Sequence, residues 1–102
     1  MIRIHITALA ERDLEDIWLT IAPNNPRAAT KLLRAIGRKI DLLADFPRLG
    51  TRRPDIRPGM RMMVARPYLV LYAIEPDADD QAVETVEIVR VVDGRRDLRR
   101  LF

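Results

Sequence analysis

Several residue types that carry chemistry in other proteins are scarce or absent in this sequence. It has no cysteine and a single histidine, His5, and the lack of cysteine excludes disulfide bonds and thiolate metal sites. Its four glycines are isolated from one another, so there is no glycine-rich loop of the kind that holds phosphate groups. No apolar run is long enough to cross a membrane or to act as a secretory signal. We therefore expect a cytoplasmic protein without a bound cofactor.

The abundant residues are apolar and charged, in the proportions of an ordinary globular domain. Of the 102 residues, 48% are hydrophobic and 32% are charged, which excludes a wholly disordered chain. This length suits one domain covering residues 1–102, with enough buried surface for one core. We find no internal repeat, low-complexity tract or linker.

Charge is distributed unevenly along the chain, whose formal net charge is +3. Six arginines and one acid lie at residues 48–66, six acids and no base at residues 75–87, and five arginines and two acids at residues 90–102. Arginine forms planar, bidentate contacts with carboxylates and phosphates, so acidic proteins and nucleic acids are both candidate partners. The alternative is a solvated surface held by salt bridges.

The first half of the sequence predicts one strand and two helices. Isoleucines alternate with polar residues over residues 2–6, which is the period of a half-buried strand. Thr7 then suits a helix N-cap, and apolar residues follow at helical spacing up to Ile21. Asn25 and Pro26 begin a second helix, which ends at Phe46-Pro47. The short connection between the two helices predicts an antiparallel helical hairpin.

The second half predicts an ordered loop, three strands and a short basic tail. The loop covers residues 47–59, and the tail covers residues 95–102 with one or two helical turns. The three strands are expected over residues 60–65, 68–74 and 83–92. The expected fold class is therefore α+β with the order β-α-α-β-β-β(-α), an antiparallel sheet with the N-terminal helical hairpin packed on one face.

No pair of side chains stands out as a nucleophile and its base. Arginines from the loop and the strands are the strongest chemical signal, because a cationic cluster near one sheet surface can hold phosphate groups. With Tyr68, Tyr72 or His5 as a proton carrier, such a cluster would cleave RNA by activating a 2′-hydroxyl. The alternative is that Tyr72 packs in the core and that the arginines pair with acids. The arginines of this cluster are Arg57, Arg61, Arg66 and Arg90.

Two other features have both a functional and a structural interpretation. The carboxylates at residues 77, 79 and 80 are of the type that holds Mg²⁺ or Ca²⁺, but their spacing does not match a calcium loop, and we predict no metal site. Trp18 lies beside Leu14 and Ile21 on the apolar face of the first helix. It is either a core residue or the border of a groove for a partner helix or strand.

An ordered set of motifs covers nearly the whole length of the chain. It comprises A-E-R-D-L-E-D-I-W-L-T-I at residues 10–21, Asn25-Pro26 with Ala28-Ala29, F-P-R-L-G at 46–50, R-P-G-M-R at 57–61, Y-L-V-L-Y at 68–72, and I-V-R-V-V at 88–92 followed by D-G-R-R-D at 93–97. By these motifs the chain resembles the ParE branch of the RelE/ParE superfamily of type II toxin–antitoxin systems.

The resemblance implies a toxin that inhibits DNA gyrase by protein–protein contact and is not itself an enzyme. It implies a small ParD-like antitoxin, encoded beside the toxin, that dimerises through a DNA-binding half and lays a flexible half across the toxin. Such pairs often form even-numbered hetero-oligomers, and no direct, sequence-specific nucleic-acid binding is expected from the toxin alone. The resemblance also links toxicity to the C-terminal segment, which here gives the target-binding residues Arg95, Arg96, Asp97, Leu98, Arg99 and Arg100.

The antitoxin interface is expected to combine an apolar groove with arginine–carboxylate pairs. An acidic antitoxin segment would match the positive charge at residues 48–66. The candidate antitoxin-binding residues are Leu14, Trp18, Ile21, Arg57, Arg61 and Arg66.

Departures from the family pattern bear on the choice of function. Many relatives carry a histidine where this chain has Asp93, so the role of that position is open. RelE-type relatives share the fold but cleave mRNA in the ribosome, often with a tyrosine or histidine near the C-terminus. This tail has neither, and RNA cleavage needs a proton acceptor and donor. The sequence therefore favours the non-enzymatic toxin, with a ribosome-dependent endoribonuclease as the alternative and a non-toxic interaction module as the third hypothesis.

Overall fold

Alternation and helical spacing place most elements close to where the sequence predicts them. The computed structural model describes all of residues 1–102. Its elements are strand β1 (Arg3–Ile6), helices α1 (Ala8–Ile21) and α2 (Pro26–Leu42), strands β2 (Thr51–Arg52), β3 (Arg61–Ala65), β4 (Tyr68–Glu75) and β5 (Thr85–Asp93), and a C-terminal 3₁₀ turn (Leu98–Leu101). The predicted α+β class and the order of the main elements are confirmed.

Both helices begin at the caps that the sequence indicates. The Thr7 hydroxyl accepts a hydrogen bond from the N–H of Ala10 at 3.1 Å, and Asn25 Oδ1 accepts one from the N–H of Ala28 at 3.0 Å. These bonds satisfy backbone donors that have no partner within the helix. The Thr7 hydroxyl also donates to the carbonyl of Val89 at 3.0 Å, so this cap ties α1 to β5. Neither helix has the length and apolar character that crossing a membrane requires.

The predicted topology needs correction in three places. The strand order is β1-β5-β4-β3-β2, and β1 pairs with β5 in parallel while the other pairs are antiparallel. The sheet is therefore mixed, because the helical hairpin returns the chain so that the first strand lies beside the last. The loop before β3 contains the two-residue strand β2, and the basic tail forms a 3₁₀ turn in place of an α-helix.

The two faces of the sheet are covered by different elements. On one face, α1 and α2 pack over a core of 14 buried residues, with Ile36 of α2 and Val70 and Ile88 of the sheet fully enclosed. On the other face there is a cluster of six buried residues. It is covered by Ile56 and Met60 of the loop before β3 and by Leu98 of the C-terminal turn. We call these the helix face and the loop face.

Candidate partner-binding site

The C-terminal segment is anchored on the loop face by its apolar residues. Leu98 is 8% exposed and packs with the cluster of the loop face, and Leu101 packs against the same cluster. The Arg57 guanidinium lies over the Phe102 ring, 4.8 Å from its centroid, a cation–π contact that joins the loop to the chain terminus. The tail is thus held at its apolar residues, and its other side chains point into solvent.

The predicted target-binding arginines form an exposed cationic surface on this segment. The side chains of Arg95, Arg99 and Arg100 are 91%, 72% and 88% exposed. Arg99 and Arg100 lie 3.9 and 3.5 Å from the carboxylate of Asp97, contacts that water screens strongly. The predicted target-binding residues therefore fall into two groups. Leu98 anchors the segment on the sheet, and the arginines are available to a partner.

Asp93 shapes the turn that begins this segment. Its Oδ1 accepts hydrogen bonds from the backbone N–H of Arg95 at 2.9 Å and from the Nε of Arg95 at 3.0 Å. The side-chain bond to Arg95 lowers the pKa of Asp93 to about 2, because the guanidinium and the backbone N–H both favour the ionised carboxylate. At this position an acid therefore has a local structural role in the tail.

The candidate apolar residues of α1 differ in how far they belong to the core. Leu14 and Ile21 are half-buried and pack against the core of the helix face, whereas half-buried Trp18 lies outside that cluster. Part of the Trp18 surface thus remains open to a partner. Leu14 and Ile21 form the edge beside it.

The predicted arginine cluster does not converge, because two of its four members are used inside the fold. Arg61 is 5% exposed and donates Nη1 hydrogen bonds to the carbonyls of Gly50 at 3.1 Å and Arg48 at 3.3 Å. Arg66 follows the far end of β3, about five strand steps or ~16 Å from Arg61. The prediction that Arg61 contacts a partner therefore changes, since its guanidinium is enclosed and holds the loop.

Arg90 is bound to α1 by a paired contact. Its Nε and Nη2 donate to the two carboxylate oxygens of Asp13 at 2.8 and 2.9 Å, and the N–H of Val91 donates to Asp13 at 2.9 Å. The bond to Asp13 raises the pKa of Arg90. Arg90 lies next to a β-bulge. Leu71 and Tyr72 of β4 are paired with Arg90 and Ile88 of β5, so Val89 between them has no partner on β4.

Tyr72 is a core residue whose hydroxyl fixes the loop after α2. The side chain is fully buried. Its hydroxyl donates to the carbonyl of Pro47 at 2.9 Å and accepts from the N–H of Gly50 at 2.7 Å. Burial raises the pKa of Tyr72, so the neutral, bonded form is favoured. The structural interpretation of Tyr72 is the one that the geometry supports.

Part of the positive charge of the loop is satisfied by the acidic connection between β4 and β5. Arg48 Nη2 donates to the carbonyls of Ala78 and Gln81 at 2.8 and 3.0 Å, and Arg52 pairs with Asp79 at 2.7 Å. Of the predicted antitoxin contacts in this region, Arg57 and Arg66 form no ion pair within the chain. An acidic partner would therefore meet less positive charge than the sequence alone indicates.

An apolar patch that sequence reasoning missed lies where α2 ends. Leu42, Phe46 and Leu49 are 41%, 58% and 55% exposed. Backbone hydrogen bonds from the N–H of Phe46 to the carbonyl of Leu42 at 2.8 Å and from the N–H of Leu49 to the carbonyl of Phe46 at 3.1 Å keep the three residues close together. From the sequence, Phe46 and Pro47 are interpreted as the end of the second helix. The signal that could have found the patch is the pair Phe46 and Leu49, two large apolar residues that flank Pro47-Arg48 outside any predicted helix or strand.

Comparison with known proteins identifies the family. A family model described as the ParE toxin of a type II toxin–antitoxin system, parDE, matches residues 4–98. The chain belongs to the ParE toxin family. Toxin ParE3 of Caulobacter vibrioides is 34% identical to it over 97 residues, which cover 94% of this chain and 90% of that protein. Toxin ParE1 of Mycobacterium tuberculosis is 30% identical over 99 residues, which cover 96% and 95%.

A solved structure has the same fold. A structure described as a chromosomal ParDE TA system from P. aeruginosa matches with a TM-score of 0.73 and 22% identity, covering 91% of this chain and 96% of that one. Two of the motifs that carry the ParE resemblance meet in the geometry described above. F-P-R-L-G at residues 46–50 and Y-L-V-L-Y at residues 68–72 are joined by the hydrogen bonds of the Tyr72 hydroxyl.

Proposed function

We propose that this ParE-family toxin inhibits DNA gyrase in the cytoplasm by surface contact, without catalysis, and that a ParD-like antitoxin silences it. Family membership supports the toxin assignment. The observation that carries the proposed target contact is the C-terminal segment, where Leu98 is buried while Arg95, Arg99 and Arg100 point into solvent. A segment anchored in this way presents guanidinium groups without paying the full ordering entropy on binding.

The chemistry of the interior counts against RNA cleavage as the activity. Arg61 and Arg90 donate to carbonyls and to Asp13 within the chain, and the Tyr72 hydroxyl is bonded to the backbone. General acid–base catalysis needs a group within hydrogen-bond reach of the substrate, and these groups face inward. Surface complementarity to a protein target makes no such demand.

The gyrase contact is tested with purified gyrase and relaxed plasmid. We expect excess toxin to block supercoiling, and truncation before Arg95 to restore it. In the full-length chain, Arg99→Gln with Arg100→Gln should weaken inhibition by at least tenfold. Arg3→Gln with Arg12→Gln removes the same charge from exposed positions elsewhere and should leave inhibition unchanged.

Four results would contradict this target assignment. Unchanged supercoiling at excess toxin would remove gyrase as the target, and equal loss in both double variants would reduce the tail effect to net charge. Cleavage of mRNA at ribosomal A-site codons during growth arrest would favour the endoribonuclease. Normal growth on induction of soluble protein would favour a plain interaction module.

For the antitoxin, we propose contacts at Trp18 with the edges of Leu14 and Ile21, together with Arg57 and Arg66. The apolar patch of Leu42, Phe46 and Leu49 is added as a candidate anchor, because interface cores are apolar and their rims polar. Arg61 is left out, since a charge reversal there would disrupt the loop it holds. We expect an even-numbered assembly of the two proteins.

The antitoxin surface is tested by titrating purified antitoxin into variants of the full chain and measuring the dissociation constant of each complex. Phe46→Ser should weaken binding by about tenfold, since an apolar anchor contributes on the order of 1–2 kcal/mol. Arg66→Glu should raise the dissociation constant less and make it less dependent on salt. Truncation before Arg95 should leave antitoxin binding intact. Undiminished binding by a Trp18→Ser/Phe46→Ser double variant would place the antitoxin elsewhere.

A further inference from the structure

The outer surface of α2 carries a row of cations that neither surface described above uses. The row consists of Arg27, Lys31, Arg34 and Arg38 at i, i+4, i+7 and i+11, all exposed. These four side chains line an open concavity together with Pro26 and Thr30, without any hydrophobic residue. None of the four forms an ion pair within the chain, whose ion pairs all involve other arginines. We call this row the α2 cationic row.

The α2 cationic row works against the stability of its own helix. The positive end of the helix dipole favours acids in the first turn, yet the first turn of α2 has Arg27 and no acid. Like charges three and four residues apart repel one another along a helix. The neighbouring α1 has four acids and one cation, whereas α2 has five cations and one acid, Asp41. Helix stability therefore does not explain the row.

We propose that the α2 cationic row binds the phosphate backbone of duplex DNA without reading its sequence. From Arg27 to Arg38 the row runs for about 16 Å. Duplex DNA carries about one charge per 1.7 Å of its axis, so roughly ten phosphate charges lie along that length. Protein–DNA interfaces are polar and strongly positive, which matches a surface lined by four cations, a threonine and a proline.

An acidic protein segment fits the row less well. Protein interfaces have an apolar core inside a polar rim, and helix-in-groove recognition needs apolar anchors. The concavity along α2 offers none, while the exposed apolar residues Leu42, Phe46 and Leu49 come after it in the chain. The row is also separate in sequence from the C-terminal segment, so DNA contact would act independently of gyrase inhibition.

The test measures binding of the full-length chain to a fluorescent, random-sequence duplex by anisotropy over a range of salt concentrations. We expect binding at low salt whose affinity falls as salt rises. The slope of log K against log salt is negative, and in the variant Arg27→Gln/Arg34→Gln it should become shallower by about 1.8, because two phosphate contacts are lost. Binding of this variant near 100 mM salt should be weaker by roughly tenfold or more. The matched control Arg3→Gln/Arg12→Gln should keep the wild-type slope. Circular dichroism checks that both variants are folded.

Three other outcomes would overturn the proposal. No binding to the duplex at low salt would exclude it, and an equal loss of slope in both double variants would assign the effect to net charge. An acidic peptide of poly-glutamate with matched charge serves as the competing ligand. If that peptide binds more tightly than the duplex, and loses affinity on Arg27→Gln/Arg34→Gln, the row is a protein-binding surface instead. Loss of gyrase inhibition with unchanged DNA binding in the tail variants would leave the α2 row standing.

Discussion

The helix face and the loop face of the sheet differ in what covers them. On the helix face, two helices enclose 14 buried residues. On the loop face, a loop and a single 3₁₀ turn cover only six. Because apolar burial contributes about 25 cal/mol per Å², the helix face supplies most of the stabilisation. The C-terminal segment, which we propose to contact the target, lies on the loop face, which has the smaller buried cluster.

This division allows the tail to change without loss of the fold. The C-terminal segment depends on the sheet for its anchor through Leu98, whereas the sheet depends on the helices for its stability. Segments with few buried contacts open at lower free energy than the global unfolding of the domain. Three comparisons between variants and one titration test this asymmetry.

The largest difference is expected between truncations in the two clusters. Ile36→Ala removes a fully buried side chain of the helix face and should lower the free energy of unfolding by about 3–4 kcal/mol. Leu98→Ala removes an 8% exposed side chain of the loop face, where the thin cover can collapse, and should cost about 2 kcal/mol or less. Urea denaturation measures both. A larger cost for Leu98→Ala would reverse the assignment of stability to the helix face.

Two arginine–aspartate pairs give the next comparison. Asp13→Ala leaves the guanidinium of Arg90, only 16% exposed, and the N–H of Val91 without an acceptor, and should cost about 2–3 kcal/mol. The pair of Arg53 and Asp55 beside the loop face is 30% and 46% exposed, so water screens it and Asp55→Ala should lower the stability much less than Asp13→Ala. Equal costs in thermal or urea unfolding would mean that the Asp13 contact is as solvent-screened as the Asp55 contact.

Two glycine-to-alanine substitutions should change the stability of the fold in opposite directions. A Cβ at position 50 would lie 2.7 Å from the Tyr72 ring and hydroxyl and 2.9 Å from the Met62 carbonyl, so Gly50→Ala should destabilise by about 1–3 kcal/mol. A Cβ at position 37 in α2 meets nothing within 4 Å. Gly37→Ala should therefore stabilise by about 0.5–1 kcal/mol, since alanine loses less entropy in a helix. Differential scanning calorimetry measures the change in melting temperature of each variant. A Gly50→Ala protein as stable as the wild type would show that the loop moves to accommodate the added Cβ.

The smallest effect on stability is expected from the ionisation of Asp93 in the tail. Its carboxylate should titrate with a pKa of about 2, and Arg95→Gln should raise that pKa toward the value of about 4 in unfolded chains. Because the pKa is lower in the folded state, the pair contributes stability above about pH 4 and loses it as the pH falls toward 2. NMR titration of the Asp93 side chain measures this. An unchanged pKa in Arg95→Gln would mean that the backbone N–H, and not the guanidinium, sets it.

Prediction from sequence succeeded where the signal is local. The Thr7 and Asn25 caps, Pro26 in the first turn of α2 and the alternation of β1 all depend on neighbours along the chain, and each is found in the fold. The parallel pairing of β1 with β5 was missed, because strand direction is decided by where distant segments meet. The short strand β2 was missed because two exposed residues carry no alternation.

For the candidate site, the sequence identified residue types but not their surroundings. It selected Arg61 and Arg66 alike, yet one is enclosed by the loop carbonyls and the other is exposed. A guanidinium has the same chemistry in both places, and only the path of the loop around β3 distinguishes them. The exposure of Leu42, Phe46 and Leu49 likewise depends on packing, and the sequence indicated only that Phe46 lies at the end of the second helix.

The amino-acid sequence alone determined the α+β class, the helix starts and the ParE family, because these rest on local spacing and on motifs in fixed order. The tertiary structure alone decided which charges are used inside the fold and which remain for partners. The physical reason is that a charged side chain changes its role with its distance from carbonyls and carboxylates, and those distances are set by segments far apart in the chain, as for Asp13 and Arg90.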